Sequence, residues 1–326
     1  MPPSPPLPGE FSLIARHFRR LAGPGSLDLS DDAAVFDPPP GRQLVAAADA
    51  MVAGVHFLPG DPPDTIGRKL LRVNLSDLAA MGAAPLGYLL TAALPRGTPD
   101  EWTASFADGL EADNRAFGVH ALGGDTVSTP GPATFSLAIL GTVAPGAALL
   151  RGGARPGDRL WVSGTLGDGA LGLRVLRGEL APDPAGHLAR RYMLPEPRLA
   201  LGAALAGVAT AAMDVSDGLA QDLGHLCRAS GCAATVDAAA LPLSDAARAA
   251  VETDPALLSL VLAGGDDYEL LFAAPPALSE EVLTRAAAAG TPVTPVGAFA
   301  DGPPEVSVLG ADGAPVPLPQ GGWSHF

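Results

Sequence analysis

Lysine is almost missing from this sequence of 326 residues: of its 20 Lys and Arg residues, Lys69 is the one lysine. A phosphate-cradling G-x-x-x-x-G-K-[ST] loop needs its lysine directly after a glycine, and Gly67-Arg68-Lys69-Leu70 fits no such loop. We read the arginine bias as the codon usage of a GC-rich genome. Cysteine is scarce too. Cys227 and Cys232 have no Cys or His pair near them, so neither a zinc site nor a disulfide framework is indicated, and two small buried apolar residues are expected. No apolar run reaches the ~20 residues that span a bilayer, and the Pro-rich start has no basic n-region, so a soluble, cytoplasmic protein is expected. Positive charge is also short. With 35 Asp plus Glu against 20 Lys plus Arg, the net charge of −15 repels nucleic acid and anionic membrane, and neither is expected as a partner.

What is abundant is small and apolar. Hydrophobic residues make up 48% of the chain, and 40 Gly and 34 Pro break it into short segments with tight loops. The length predicts two domains, 1–145 and 146–326. Helical spacing of Phe11, Ile14, Ala15 and Phe18 predicts a first helix over 10–21. In the first half, strands are expected at 44–48 ending in Asp49, at 86–94, at 119–122 running into Gly123-Gly124-Asp125, and at 133–143. Helices are expected at 65–81 and 100–117. The second half reads as strands at 159–163, into Asp214, at 234–236 and at 269–273. Helices are expected there from Asp168 and over 185–192, 197–207, 218–230, 244–250, 255–262 and 279–289, with terminal strands after them. Alternating strands and helices give a mixed α/β class in both halves.

The informative feature is where the acids stand. Asp31-Asp32, Asp49, Asp77, Asp125, Asp214, Asp217 and Asp266-Asp267 mostly lie where apolar segments meet Gly or Ser, rather than on charged helix faces. Converging aspartates repel one another and need a compensating cation, and magnesium shared with substrate phosphates is the natural one. Taken singly, each Gly-Gly-Asp or Asp-Asp pair also fits a turn or cap. Asp158 reads as a turn residue, Asp168 as a helix cap, and Asp245 and Asp254 as surface or capping acids. His56, flanked by Val55 and Phe57, fits either a core histidine or a substrate contact.

In order along the chain stand Gly9-Glu10-Phe11-Ser12-Leu13-Ile14, Asp31-Asp32-Ala33-Ala34 and Val52-Ala53-Gly54-Val55-His56-Phe57. Asn74-Leu75-Ser76-Asp77-Leu78-Ala79-Ala80-Met81-Gly82, Gly123-Gly124-Asp125-Thr126 and Arg151-Gly152-Gly153-Ala154-Arg155-Pro156-Gly157-Asp158 follow. Then come Met213-Asp214-Val215-Ser216-Asp217-Gly218, Gly264-Gly265-Asp266-Asp267-Tyr268-Glu269 and Trp323-Ser324-His325-Phe326. Together they resemble the thiamine-monophosphate kinases, of the superfamily that includes aminoimidazole ribonucleotide synthetase and selenophosphate synthetase. The resemblance implies ATP-dependent phosphorylation of thiamine monophosphate to thiamine diphosphate. It also implies magnesium on Asp32, Asp49, Asp77, Asp125, Asp214 and Asp217, and ATP contacts at Gly124, Asp125, Arg151 and Ser216. His56, Asp266 and Trp323 correspond to substrate contacts. A homodimer built through the sheet of the N-terminal domain, and a C-terminal domain closing over the nucleotide site, are implied as well.

Two segments depart from the family pattern. Leu27-Asp28-Leu29-Ser30 stands in place of Gly-Ile-Gly, and Ala47-Ala48 in place of Ser-Thr, leaving the backbone carbonyls of Ala47 and Ala48 for a metal. The other superfamily enzymes and a non-catalytic ligand-binding dimer are the competing readings. The terminal Trp323 motif and Asn74-Leu75-Ser76-Asp77 favour the kinase. A selenophosphate synthetase would carry a reactive Cys near its N-terminus, which this chain lacks.

Overall fold

The computed structural model describes residues 10–317, which divide into two compact units. One comprises the described chain up to Leu75 together with Pro85–Thr142, the other Ser76–Ala84 and the described chain from Val143.

The first unit starts with α1 (Glu10–Leu13), which continues as a π-helical turn over Ile14–Phe18 and a 3-10 turn over Arg19–Leu21, so the span 10–21 is helical as expected but not of one type. Its sheet holds β1 (Gln43–Val52), then, after α2 (Pro63–Ala80), β2 (Ala84–Pro95), and, after α3 (Asp100–Phe117), β3 (Ala121–Thr129) and β4 (Thr134–Val143). The strand order is β1-β4-β2-β3, with β2 and β3 parallel. Period-2 alternation buries Tyr88, Leu90, Ala92 and Leu94 on one face of β2 and leaves Leu89 and Thr91 exposed on the other. Phe106 of α3 stacks on Phe135 of β4 with ring centroids 4.5 Å apart, tying helix to sheet. Helices α2 and α3 touch backbone to backbone. A Cβ on Gly67 would lie 2.4 Å from the Phe106 oxygen, and one on Gly109 only 2.0 Å from that of Asp64. Beside this contact the fully buried Asp113 accepts from Arg68 and Arg72. Gly118, at φ 65°, ends α3 in the left-handed conformation that glycine tolerates.

Two expected strand ends are corrected. Asp49 lies inside β1, and Gly123-Gly124-Asp125 inside β3, because both strands sit at sheet edges where residues of low strand propensity are tolerated.

The second unit is built on a six-stranded sheet. Its elements are β5 (Arg159–Ser163), α4 (Asp168–Leu176), α5 (His187–Met193), α6 (Leu199–Leu205), β6 (Ala211–Asp214), α7 (Leu219–Ser230) and β7 (Ala233–Asp237). They continue with α8 (Asp245–Thr253), α9 (Leu257–Ala263), β8 (Leu270–Ala274), α10 (Ser279–Ala288), β9 (Val293–Ala300) and β10 (Val306–Leu309). The order is β10-β7-β9-β5-β8-β6, antiparallel except for β10 with β7. Alternate residues feed two cores. Leu160, Val162, Met213 and Leu271 face one, with Leu219 and Leu223 of α7. Trp161, Ala212 and Phe272 face the other, with Leu201 of α6 and Val282 of α10. Burial on both faces explains why β8, and β6 up to Asp214, read as continuous apolar runs. Cys227 and Cys232 are buried and unlinked, as expected. No helix among the described residues is long and apolar enough to cross a membrane.

Candidate functional site

In the first unit Gly124 and Asp125 sit on β3 opposite Leu90 and Thr91 of β2. A Cβ on Gly124 would fall 1.8 Å from the Leu90 carbonyl oxygen, so this position admits glycine alone and leaves the neighbouring backbone open. A cavity of about 520 Å³ borders these residues, with an apolar wall that includes Phe18, Leu29 and Leu90 and with Asp31, Asp32 and Asp125 among its lining. Asp31 receives the Asp32 N–H at 2.9 Å, the cap-like contact considered for it. Asp49, exposed on β1, donates its backbone N–H to Asn74 Oδ1 at 3.0 Å, and Ala48 beside it is exposed. His56 is half-buried on the turn after β1, where its Nδ1 accepts the Val52 N–H at 3.0 Å. In the neutral ring that bond puts the proton on Nε2.

Leu27, Asp28 and Leu29 have φ of 50°, 58° and 53°. The segment that replaces Gly-Ile-Gly therefore keeps a left-handed, glycine-type backbone, at roughly 1–2 kcal/mol per residue for a chain of L side chains. Leu29→Gly is expected to raise unfolding free energy by about 1 kcal/mol, the relieved strain being partly offset by the extra freedom of glycine in the unfolded chain. Denaturant titration measures this, and a loss of stability would show that the leucine side chain contributes more than the strain costs.

The second unit gathers the other acids around the end of β6. Asp214, nearly buried, accepts from Ser76 Oγ at 2.6 Å, which brings the Ser76-Asp77 step of α2 next to it. The turn that follows is held by Asp222, in the first turn of α7, whose Oδ2 accepts the N–H groups of Ser216 and Asp217 at 3.0 Å each. Gln221 donates to Asp217 at 3.2 Å. The loop 264–269 lies alongside: Asp266 N donates to Ser216 O and Tyr268 N to Val215 O, at 2.9 and 2.8 Å. A Cβ on Gly265 would stand 2.1 Å from Ser216 O, so glycine is required for this approach. Asp266 and Tyr268 are held at φ of 70° and 52° by the buried residues between and after them. Asp267 accepts from Gly167 N and Gly169 N at 2.7 and 3.0 Å. Glu269 accepts from Ser163, Arg191 and Arg198. Arg151 is exposed on a loop whose Gly153 and Ala154 N–H groups bond Ser230 Oγ at the end of α7. Trp323 lies outside the described residues.

Among the described residues no three His, Cys, Asp or Glu side chains form a ready-made metal cage. The donor set is nevertheless suited to a hard cation, because every candidate ligand is an oxygen. Asp222 is pushed up to about 7, by burial first and also by the charges of Asp214 and Asp217. A divalent ion would relieve this crowding.

Asp267 is pushed up to about 8, burial outweighing its two N–H bonds. Both carboxyls therefore hold protons in the folded chain that the unfolded chain releases above about pH 4. Their stabilisation is complete below that pH and is lost as pH rises through about 7 to 8. His225, half-buried and lowered by burial and then by Arg228, acts in the opposite sense just below its ordinary value. The melting temperature in metal-free buffer is expected to fall between about pH 5.5 and about pH 8.5, and magnesium to shrink the fall. A flat profile would contradict the shifts.

Asp222, Glu269 and Ser76 were not singled out in the sequence as supports, and Asp267, counted there among the converging acids, is instead tied to Gly167 and Gly169. The one visible signal was an acid five residues after Asp217, at a helix start. Asp158 is the turn residue expected, accepting from Arg155 N at 3.0 Å. Asp168 corrects the cap reading: its fully buried carboxylate binds Thr165, His187 and Ser244 side chains instead.

The AIR synthase related protein family matches this chain with its N-terminal domain over residues 30–143 and its C-terminal domain over residues 155–309. The thiamine-monophosphate kinase of Caulobacter vibrioides is 48% identical over 300 residues, covering 90% of this chain and 85% of its own length. The crystal structure of thiamine-monophosphate kinase from Stenotrophomonas maltophilia K279a superposes with a TM-score of 0.80 at 41% identity, covering 88% of this chain and 90% of that one. The structure of AaThiL complexed with AMPPCP and TMP gives a TM-score of 0.78 at 30% identity, with 91% of each chain covered.

Proposed function

The chain belongs to the thiamine-monophosphate kinase family, and from that premise we propose that it transfers the γ-phosphoryl group of ATP to thiamine monophosphate, giving thiamine diphosphate and ADP. The observation that carries this reading is the relative 30% identical over 91% of the chain that holds AMPPCP, an ATP analogue, together with TMP. The fixed acids and close-approach glycines of this chain support it.

The acceptor is a phosphate monoester whose second pKa is about 6, so it is mostly dianionic at neutral pH and needs no general base. The demand on the protein is alignment and charge compensation between two polyanions. Bound magnesium would supply that compensation by screening the β- and γ-phosphates and the acceptor. In the first unit Asp32, Asp49 and Asp125 would hold it, with the carbonyl of Ala48. In the second unit Asp77, Asp214 and Asp217 would do so, Asp222 keeping the Asp217 turn rigid. Gly124, Asp125, Arg151 and Ser216 would contact ATP, and His56, Asp266 and Trp323 the thiamine substrate. Transfer would be direct and in line, without a phosphoenzyme. Leu89 and Val127, 46% and 45% exposed, share the open face of β2 and β3 and support a homodimer formed through that sheet.

ADP release by the purified protein should require both thiamine monophosphate and magnesium. Binding of both ligands without ADP release would favour a non-catalytic binding protein, a reading motivated by Ala47-Ala48 and by the strained Leu27–Leu29 segment.

A further inference from the structure

Resting on that reading, we infer that Lys69 and Asp61 form a buried positioning pair that fixes the His56 turn for thiamine monophosphate. Lys69 is 2% exposed and Asp61 9%. Burying an ammonium is costly unless it is paired and hydrogen-bonded, and the sequence shows that arginine serves nearly everywhere else a cation is needed. What a lysine offers over an arginine is a compact point charge rather than a planar fork.

The structure shows what that charge does. Lys69 Nζ reaches from α2 and donates to the His56 carbonyl at 3.1 Å. Asp61 Oδ2 accepts the Leu58 N–H at 2.8 Å, two residues further along the same turn. Lys69 acts electrostatically on Asp61, whose carboxyl burial otherwise raises. The turn itself is closed by Gly54 N to Phe57 O at 2.8 Å and His56 N to Val52 O at 3.0 Å. His56 is thus gripped through its carbonyl by Lys69 and through its ring Nδ1 by Val52 N–H, which sets the direction of the ring. Lys69 and Asp61 touch neither reacting group in this account; they act through His56.

Affinity for thiamine monophosphate, measured by titration calorimetry, separates positioning from a merely structural role. Lys69→Met is expected to weaken it about tenfold and leave AMPPCP affinity within about twofold. In a His56→Ala background the same Lys69→Met change should add nothing, because the residue it positions is gone. Asp61→Asn keeps an acceptor oxygen for Leu58 and should weaken thiamine monophosphate binding about threefold, which keeps the test available if Lys69→Met fails to fold. Unchanged affinity in folded variants, equal losses for both ligands, or full additivity with His56→Ala would overturn the inference. Wild-type protein that binds no thiamine monophosphate would overturn the parent reading with it.

Discussion

Asp217→Asn is expected to lower turnover by roughly 10³-fold with the fold unchanged. The substitution keeps the side-chain volume and an oxygen for Gln221, and removes only the charge. Asp217 ends the turn that Asp222 holds rigid, so an ion there cannot be recaptured by backbone adjustment. Asp125→Asn in the first unit should do the same, since it stands beside a glycine that already approaches its neighbouring strand as closely as backbone can. The loss should ease only slightly with excess magnesium, because an amide remains a poor ligand at any concentration. Circular dichroism should match wild type. Full activity in either variant removes that residue from the mechanism. For Asp217→Asn one stability effect is expected as well: with a neighbouring charge gone, the carboxyl of Asp222 ionises more readily, so metal-free stability near neutral pH should not fall.

Glu269→Ala should cost about 3–5 kcal/mol, the range for removing one partner of a buried ion pair. Glu269 is fully buried and accepts from Ser163 Oγ at 2.5 Å, Arg191 at 2.9 Å and Arg198 at 2.7 and 2.5 Å. Its removal leaves two cations in a low-dielectric interior, Arg191 being almost wholly buried. A melting-temperature drop of roughly 10 °C follows for a unit of this size. Function should suffer beyond stability. Without this anchor the positive-φ backbone at Asp266 and Tyr268 loses part of what enforces it, and such strain persists only where the surroundings over-determine it. Thiamine monophosphate affinity should therefore fall even well below the melting temperature. A drop under about 1 kcal/mol would mean the arginines find other partners.

Much of the fold was legible because local signals agreed with tertiary demand. Pro99 before and Gly118 after the helix at 100–117 fixed its limits, and the Arg155-Pro156-Gly157-Asp158 turn led into the strand at 159–163 as expected. The two misread strand ends share one cause. Asp49 and Gly124 look like strand terminators by propensity, yet both sit inside edge strands, Gly124 because Leu90 crowds it in a parallel pairing that no local pattern reveals. The candidate acids could be named from motifs, whereas the residues that hold them in place could not. Asp267 bonds groups 98 and 100 positions away, and Glu269 reaches Ser163 over 106, separations that leave no periodic trace. The left-handed backbone at Leu27–Leu29 was likewise invisible, since leucine ordinarily argues against it.

The central claim is that this chain moves a phosphoryl group from ATP to thiamine monophosphate. Purified protein given γ-labelled ATP, magnesium and thiamine monophosphate, with products separated by chromatography, tests it most directly. The label should appear in thiamine diphosphate in proportion to the ADP formed, never on the protein, and a chelator should abolish it. Labelled inorganic phosphate or labelled protein without thiamine diphosphate would contradict the account.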